Sequence, residues 1–286
     1  MFIKTYQNVN DFLDVAQPIL QRYEVENSLL LGVSTRLRTV PNPDQPYLAT
    51  VADADGLLVA ACMTPPYNII LWESDTHSDA ALALVVQNLA GNAWAVSGVV
   101  APIAVAHRFA TLWSKETGQP VRAGMQQRLF EVKQVVPPRP VAGRLRLATA
   151  NDTALVVQWV AAFHAEAMSN GQRSDAQQIA VTRIQNRDIY LWELPDTRVV
   201  TMASKTRPLG KDVSITIALV YTPPVERGKG YASNCVADLS QLLLASGWRS
   251  CNLFTDLANP ISNSIYQKIG YSPLCDYNEY RFQSVP

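Results

Sequence analysis

Six residues, Arg227, Gly228, Lys229, Gly230, Tyr231 and Ala232, form the run "RGKGYA". It lies between an apolar, β-branched stretch, "VSITIALVY", and a helix-like stretch, "YASNCVADLSQLLLASG". Glycines in such a connection let the backbone take positive φ and turn successive N–H groups toward one point. That concavity binds an anion, and the following helix adds its positive N-terminal end. Arg227 and Lys229 add formal charge, so a phosphate or pyrophosphate is the natural occupant. Spacing excludes two common phosphate loops. A Walker loop needs Ser or Thr after its lysine, and Lys229 is followed by Gly230 and Tyr231. A dinucleotide fingerprint sits close behind its strand, whereas "TPPVE" intervenes here, and no acid follows where the ribose contact is expected.

A second constellation follows downstream in "NPISNSIYQKIGY", which carries Asn259, Ser262, Tyr266, Gly270 and Tyr271. Asn before Pro suits an N-cap with proline at the first helical position, so Asn259 can cap, hold a ligand, or do both. Ile261, Ile265 and Ile269 recur at helical spacing and predict the buried stripe. Tyr266 lies beside that stripe on a flank shared with Ser262. A tyrosine there, with its hydroxyl in a cleft, can serve as a proton donor.

Together the two motifs resemble the GNAT superfamily of acyl-CoA-dependent N-acetyltransferases. Its pyrophosphate loop reads Arg/Gln-x-x-Gly-x-Gly/Ala, and Arg227, Gly230 and Ala232 fill those positions. Its second motif reads Asn-x-x-(Ala/Ser)-x-x-x-Tyr-x-x-x-Gly-(Phe/Tyr), matched by Asn259, Ser262, Tyr266, Gly270 and Tyr271. The resemblance covers Arg144 to Pro286. It implies that the strand ending at Tyr221 splays from the strand at "NLFTD", leaving a V-shaped slot. Backbone groups of Leu219, Val220 and Tyr221 would pair with the pantetheine arm, and the Val220 N–H would polarise the thioester carbonyl. Gly228, Lys229, Gly230, Tyr231 and Ala232, with Arg227, would hold the pyrophosphate. Asn259 and Ser262 would contact the arm, and Tyr266 would protonate the departing thiolate. The implied co-substrate is acetyl-CoA, without a metal. The implied acceptor is a small-molecule or peptide amine that attacks the thioester directly. A non-catalytic acyl-CoA-binding or sensing module, and an acyltransferase with another donor, are the rival readings.

No general base is legible, because "VSITIALVY" contains no acid. Asp212, His164, Glu166 and Glu193 are the candidates. Cys235 falls on the apolar face after the loop and reads as core. His77 and His107 show no partner.

The two motifs need a scaffold, and the chain is long enough for two domains. It has 286 residues, 48% of them hydrophobic, and its 24 basic residues balance 24 acidic ones. That balance argues against a nucleic-acid partner. Cys62, Cys235, Cys251 and Cys275 are scattered, as expected of reduced thiols in a cytoplasmic protein. Ala80 to Ala106 carries no charge, but Gln87, Asn88, Asn92 and Pro102 interrupt it, so it reads as buried core and no membrane role is expected. "VVPPRPVAGRLRLA" marks the boundary. The expected organisation is an N-terminal domain over 1–136, a linker over 137–143 and an acetyl-CoA domain over 144–286. Both are expected to be GNAT-like α/β (α+β) domains, each a mixed, mostly antiparallel twisted sheet flanked by helices. The N-terminal one reads as a degenerate copy, since "ESDTHSDAAL" stands where the glycine loop would be. The final stretch, "YSPLCDYNEYRF", reads as a strand pair, and Asn151 or Asp152 as the cap of the helix after "RLRLATA".

Overall fold

The computed structural model describes residues 1–40, 42–167, 175–206 and 213–283. Asp212 lies outside them. The chain forms two compact units. The first comprises Met1–Leu129, Thr255–Asn259 and Pro273–Pro286; the second comprises Phe130–Phe254 and Pro260–Ser272.

The N-terminal half supplies β1 (Phe2–Thr5), α1 (Val9–Leu20), α2 (Ser28–Arg36), β2 (Tyr47–Ala52), β3 (Leu57–Met63), β4 (Ile69–Glu73), α3 (Asp79–Gly91), β5 (Gly98–Pro102), α4 (Ile103–Thr117) and β6 (Val121–Val132). The C-terminal half supplies β7 (Arg144–Leu147), α5 (Thr153–Ala167), α6 (Ala176–Gln185), β8 (Ile189–Glu193), β9 (Val199–Thr206), β10 (Ser214–Tyr221), α7 (Tyr231–Ala245), β11 (Ser250–Asp256), α8 (Pro260–Lys268) and β12 (Ser272–Phe282).

In the first unit the strand order is β1-β2-β3-β4-β5-β12-β6. Val59, Ala61 and Met63 of β3 pack with Leu82, Val85 and Leu89 of α3 and with Phe109 and Trp113 of α4. Their alternation with Ala60 and Cys62 is the two-residue period of a strand buried on both faces. The uncharged run from Ala80 to Ala106 is therefore spent on α3, β5 and the start of α4. Among the described residues no helix is long and apolar enough to cross a membrane.

The end of the chain departs from expectation. "YSPLCDYNEYRF" forms one strand, β12, whose register with β5 is antiparallel from Tyr277↔Pro102 to Arg281↔Gly98. Arg128 of β6 grips Asp276 with two hydrogen bonds of 2.7 and 2.8 Å. The Tyr277 hydroxyl donates to the Glu26 carbonyl at 2.6 Å. A chain-order boundary could not show this, because strand partners are chosen by fit across the sheet and not by proximity in sequence.

In the second unit the order is β11-β10-β9-β8-β7, with β10 parallel to β11 and the other neighbours antiparallel. Helices cover both faces. Cys235, Val236, Leu239 and Leu243 of α7 pack on Ile215, Ile217, Cys251 and Leu253. Leu242, although apolar, points away from that face and is exposed. On the other face Val156, Trp159 and Val160 of α5 pack with Leu191 and Met202. The boundary segment 137–143 is fastened to this unit. Arg139 O accepts from Asn234 Nδ2 at 3.1 Å, and Ala142 O accepts from Trp192 Nε1 at 3.0 Å.

A 3-10 turn over Ala150–Asp152 directly precedes α5; its own N-cap is Thr149, with a reciprocal capping box between Thr149 and Asp152. Arg146 donates to both Asp152 oxygens, at 2.8 and 2.9 Å. That pairing, with the Thr149 hydrogen bonds, holds the Asp152 carboxyl down at about 2. A depressed carboxyl stabilises the fold above its ordinary value of 3.8 and loses that contribution as pH falls toward 2. Asp152→Asn is therefore expected to cost on the order of 1 kcal/mol at neutral pH and nothing near pH 2. Urea unfolding at pH 7, 4 and 2.5 measures it; an equal difference at all three values would exclude the ion pair as the cause.

Candidate active site

β10 and β11 pair in parallel at Ser214↔Ser250, Ile215↔Cys251 and Thr216↔Asn252, and there the pairing stops. Both strands continue, β10 to Tyr221 and β11 through Phe254, so they part into a fork. Fully buried polar side chains brace its base. Thr216 Oγ1 donates to Asn252 Oδ1 at 2.8 Å, and Asn252 Nδ2 donates to Ser214 Oγ at 3.2 Å. The arm of β10 beyond the fork carries a bulge. Its register with β9 jumps from Ala218↔Ser204 to Tyr221↔Met202, which leaves Leu219 and Val220 without register partners. Leu219 has φ +50, a left-handed backbone that a branched side chain adopts only under constraint. Leu219 and Tyr221 turn into the core under α5, where the Tyr221 ring lies 6.1 Å from Trp159. Tyr221 O accepts from Thr201 Oγ1 at 2.8 Å. The free register positions thus fall on Leu219 and Val220, at the mouth of the fork.

The glycine loop follows. Pro224–Glu226 makes one 3-10 turn, Arg227 is extended, and Gly228 and Gly230 take φ +77 and +83. Gly230 is itself the N-cap of α7 and offers no side chain to its first N–H groups. No acidic residue stands in that first turn. The helix therefore begins with open donors and an uncompensated positive end. A Cβ on Gly228 would meet nothing within 4 Å, so the loop faces open space there. A Cβ on Gly230 would stand 3.2 Å from Val141 Cγ1. Asn234 Nδ2 also donates to Gly230 O at 3.0 Å, which fixes the loop from below. Asn234 was legible only as a polar residue amid Cys235, Val236 and Leu239 on the helix's apolar face.

The two cations of the loop pair with carboxylates of the second unit. Arg227 Nη2 donates to both Glu166 oxygens at 2.9 and 2.7 Å, and its Nε donates to Thr222 O at 2.8 Å. Its guanidinium lies 5.9 Å from the Tyr221 ring centroid. Lys229 Nζ donates to Glu226 Oε2 at 2.8 Å, and Glu226 also accepts from Arg198 at 3.1 Å. Tyr231 and Ala232 open α7 and are half-buried.

Tyr266 is the buried residue of α8. Ile269, just beyond the helix, and Ile265 pack in the same core cluster as Tyr266, whereas Ile261 is 73% exposed and falls off the expected stripe. The Tyr266 ring lies 6.4 Å from Phe130 and 5.9 Å from Tyr271. Its hydroxyl makes no hydrogen bond among the described residues. Burial, with Cys235 beside it, pushes the phenol up to about 12, and Tyr266 keeps its proton throughout the neutral range. Cys235 is fully buried and its thiol is pushed upward too, in keeping with a core residue. Ser262 lies half-buried on α8. Asn259, directly before Pro260, groups with the first unit.

Three candidate bases are described. Glu193 is bound by Arg144 and Arg146, whose hydrogen bonds hold its carboxyl below the ordinary range. Glu166 is bound by Arg227. His164 is held below its ordinary value by burial and by the charge of Arg183, and is neutral at pH 7.

The corresponding segment of the first unit is built differently. Its β4–β5 pairing also stops early, at Ile70↔Val100. But Ser78 caps α3, its Oγ accepting from Ala81 N at 3.2 Å, and Asp79 stands in the first turn. Glu73, with its side chain 1% exposed, is gripped by Arg108 at 2.7 and 3.0 Å, and His77 Nδ1 lies 3.2 Å from it. At α3 a hydroxyl thus caps one of the first donors, and the nearby acids Glu73 and Asp79 are held by Arg108.

Comparison with solved structures follows these lines. A GNAT-family acetyltransferase from Colwellia psychrerythraea matches at TM-score 0.61 and 10% identity, over 99% of this chain and 100% of that one. A tandem GNAT protein from the clavulanic acid biosynthesis pathway matches at TM-score 0.60 and 11% identity, with both chains covered in full. The fold is that of the tandem GNAT proteins. A GCN5-related N-acetyltransferase from Sphaerobacter thermophilus matches at TM-score 0.64 and 14% identity, over 98% of this chain and 95% of that one. No protein-family model matches the sequence, and no curated protein matches it. The GNAT architecture in this chain is thus carried by topology at identities where side chains have largely been replaced.

Proposed function

We propose that the protein is an acetyl-CoA-dependent N-acetyltransferase whose second unit binds the donor and transfers acetyl to an amine. The observation that carries this reading is the start of α7: two left-handed glycines, an uncapped helix end without an acid, and open space before it, directly after a forked strand pair. Those groups suit a pyrophosphate, held by the N–H groups from Gly228 to Ala232. Leu219 and Val220 supply main-chain groups for the pantetheine arm, and the Val220 N–H serves the thioester carbonyl. Asn259 and Ser262 are the further contacts to the arm. Acetyl-CoA supplies the activated acyl group; a neutral amine attacks its carbonyl and the C–S bond breaks. Tyr266, which holds its proton at neutral pH, gives it to the departing sulfur, and the proton shed by the attacking nitrogen returns to the tyrosinate through solvent. The acceptor is a small-molecule or peptide amine, and the setting is cytoplasmic.

Isothermal titration with acetyl-CoA tests the reading. Saturable binding with one site per chain is expected, because the corresponding helix of the first unit is capped by Ser78 and carries Asp79 in its first turn, with no glycine loop before it. Two sites per chain would contradict the assigned asymmetry. No binding at high micromolar donor would remove the proposal.

A further inference from the structure

The charge of the glycine loop is already spent within the protein. Arg227 and Lys229 are its two formal cations, and each is bound to a carboxylate of the second unit. Arg227 is the more completely committed. Its Nε is used by Thr222 O, its Nη2 by both oxygens of Glu166, and its plane lies near the Tyr221 ring. Those partners come from three places: the residue after β10, the last turn of α5, and the end of β10 itself. The backbone of Arg227 is extended and immediately precedes the left-handed Gly228. Fixing the Arg227 side chain therefore fixes where the next five N–H groups begin.

We propose that Arg227 is a positioning residue and not a phosphate ligand: through Glu166 it braces the pyrophosphate loop against the end of α5, and recognition of the diphosphate is left to main-chain N–H groups. This inference rests on the donor site proposed above and assigns within it a role that charge alone would misplace. One planar guanidinium reaches Thr222 O through Nε and both Glu166 oxygens through Nη2, so the direction of the brace comes from the fixed geometry between those two nitrogens. The pair is about half exposed at both ends, with side chains 47% and 49% accessible, so its worth lies in geometry more than in stability.

A charge swap distinguishes a brace from a ligand. Three variants are compared with wild type: Arg227→Glu, Glu166→Arg, and the two together. The readout is the ratio of kcat/KM for acetyl-CoA to that for S-acetylpantetheine, which lacks the diphosphate. A brace predicts that each single change lowers this ratio by about tenfold and that the swap restores it to within about threefold. A phosphate contact predicts that Arg227→Glu and the swap are equally impaired, and that result would overturn the proposal. An unchanged ratio in all three variants would overturn it too. A loss shared equally by both donors leaves the ratio unchanged and counts in the same way. Absence of acetyl-CoA binding by the wild type would instead strike the donor site itself, so the two failures are separable.

Discussion

Gly230→Asp is expected to abolish acetyl-CoA binding, lowering affinity by roughly two orders of magnitude or more. Two effects add. Gly230 has φ +83, and a non-glycine residue held there costs about 1–2 kcal/mol. The new carboxylate would also sit at the first N–H groups of α7, where a second anion at close range costs about 1–4 kcal/mol in partly exposed surroundings. The side chain has little room on the protein side, since its Cβ would already stand 3.2 Å from Val141 Cγ1. Gly230→Ala separates the terms. It carries the backbone strain without the charge and is expected to bind about tenfold more weakly than wild type. Titration of both variants, with a thermal melt to confirm folding, measures them. Undiminished affinity in a folded Gly230→Asp protein would show that the loop is not the site.

Tyr266→Phe is expected to keep acetyl-CoA affinity within about threefold while turnover falls about 100-fold. The ring is held by Phe130 and Tyr271, and phenylalanine preserves that packing. The hydroxyl has no hydrogen-bond partner among the described residues, so its removal leaves no orphaned group and the melting temperature should hold. A loss of turnover alone therefore points to the proton. The raised phenol adds a second mark. Because Tyr266 stays protonated until about pH 12, an alkaline fall in rate between pH 8 and 10 in the wild type must come from another group. The sign for stability is consistent: a phenol raised on folding stabilises below its ordinary value of 10.0 and loses that contribution as pH climbs toward 12. Unchanged turnover in Tyr266→Phe would remove it as the acid.

The contrast between the two units gives these experiments their internal control. β4–β5 and β10–β11 both part early, so the fork belongs to the architecture. What differs is the helix behind it. α3 begins with Ser78 and Asp79, and α7 begins with Gly230 and Tyr231. The helix start is thus left without a side-chain cap in one place and capped by Ser78 in the other.

Several features followed from the sequence because their causes are local. Glycines at 228 and 230 mean positive φ wherever the chain goes, and both residues adopt it. Asn-Pro at 259 and 260 starts a helix, and a β-branched run such as "VSITIALVY" makes a strand. The order of elements, and with it the resemblance that named the fold, was legible for the same reason. Other features arise from residues far apart in the chain. The partner of Arg227 is Glu166, sixty-one positions away, and nothing in "RGKGYA" shows that its charges are already neutralised. The packed side of α8 meets Phe130 and Tyr271, so Tyr266 is buried together with Ile265 and Ile269 while Ile261 is exposed. Leu219 is driven to φ +50 by a bulge that exists only because β9 is one residue short opposite it. The last strand joins β5 in the first unit, because hydrogen-bond partners and side-chain fit decide strand pairing. The local conformations followed from the sequence; tertiary packing decided which side chains meet, because the partners of Arg227, Tyr266 and Asp276 lie far away along the chain.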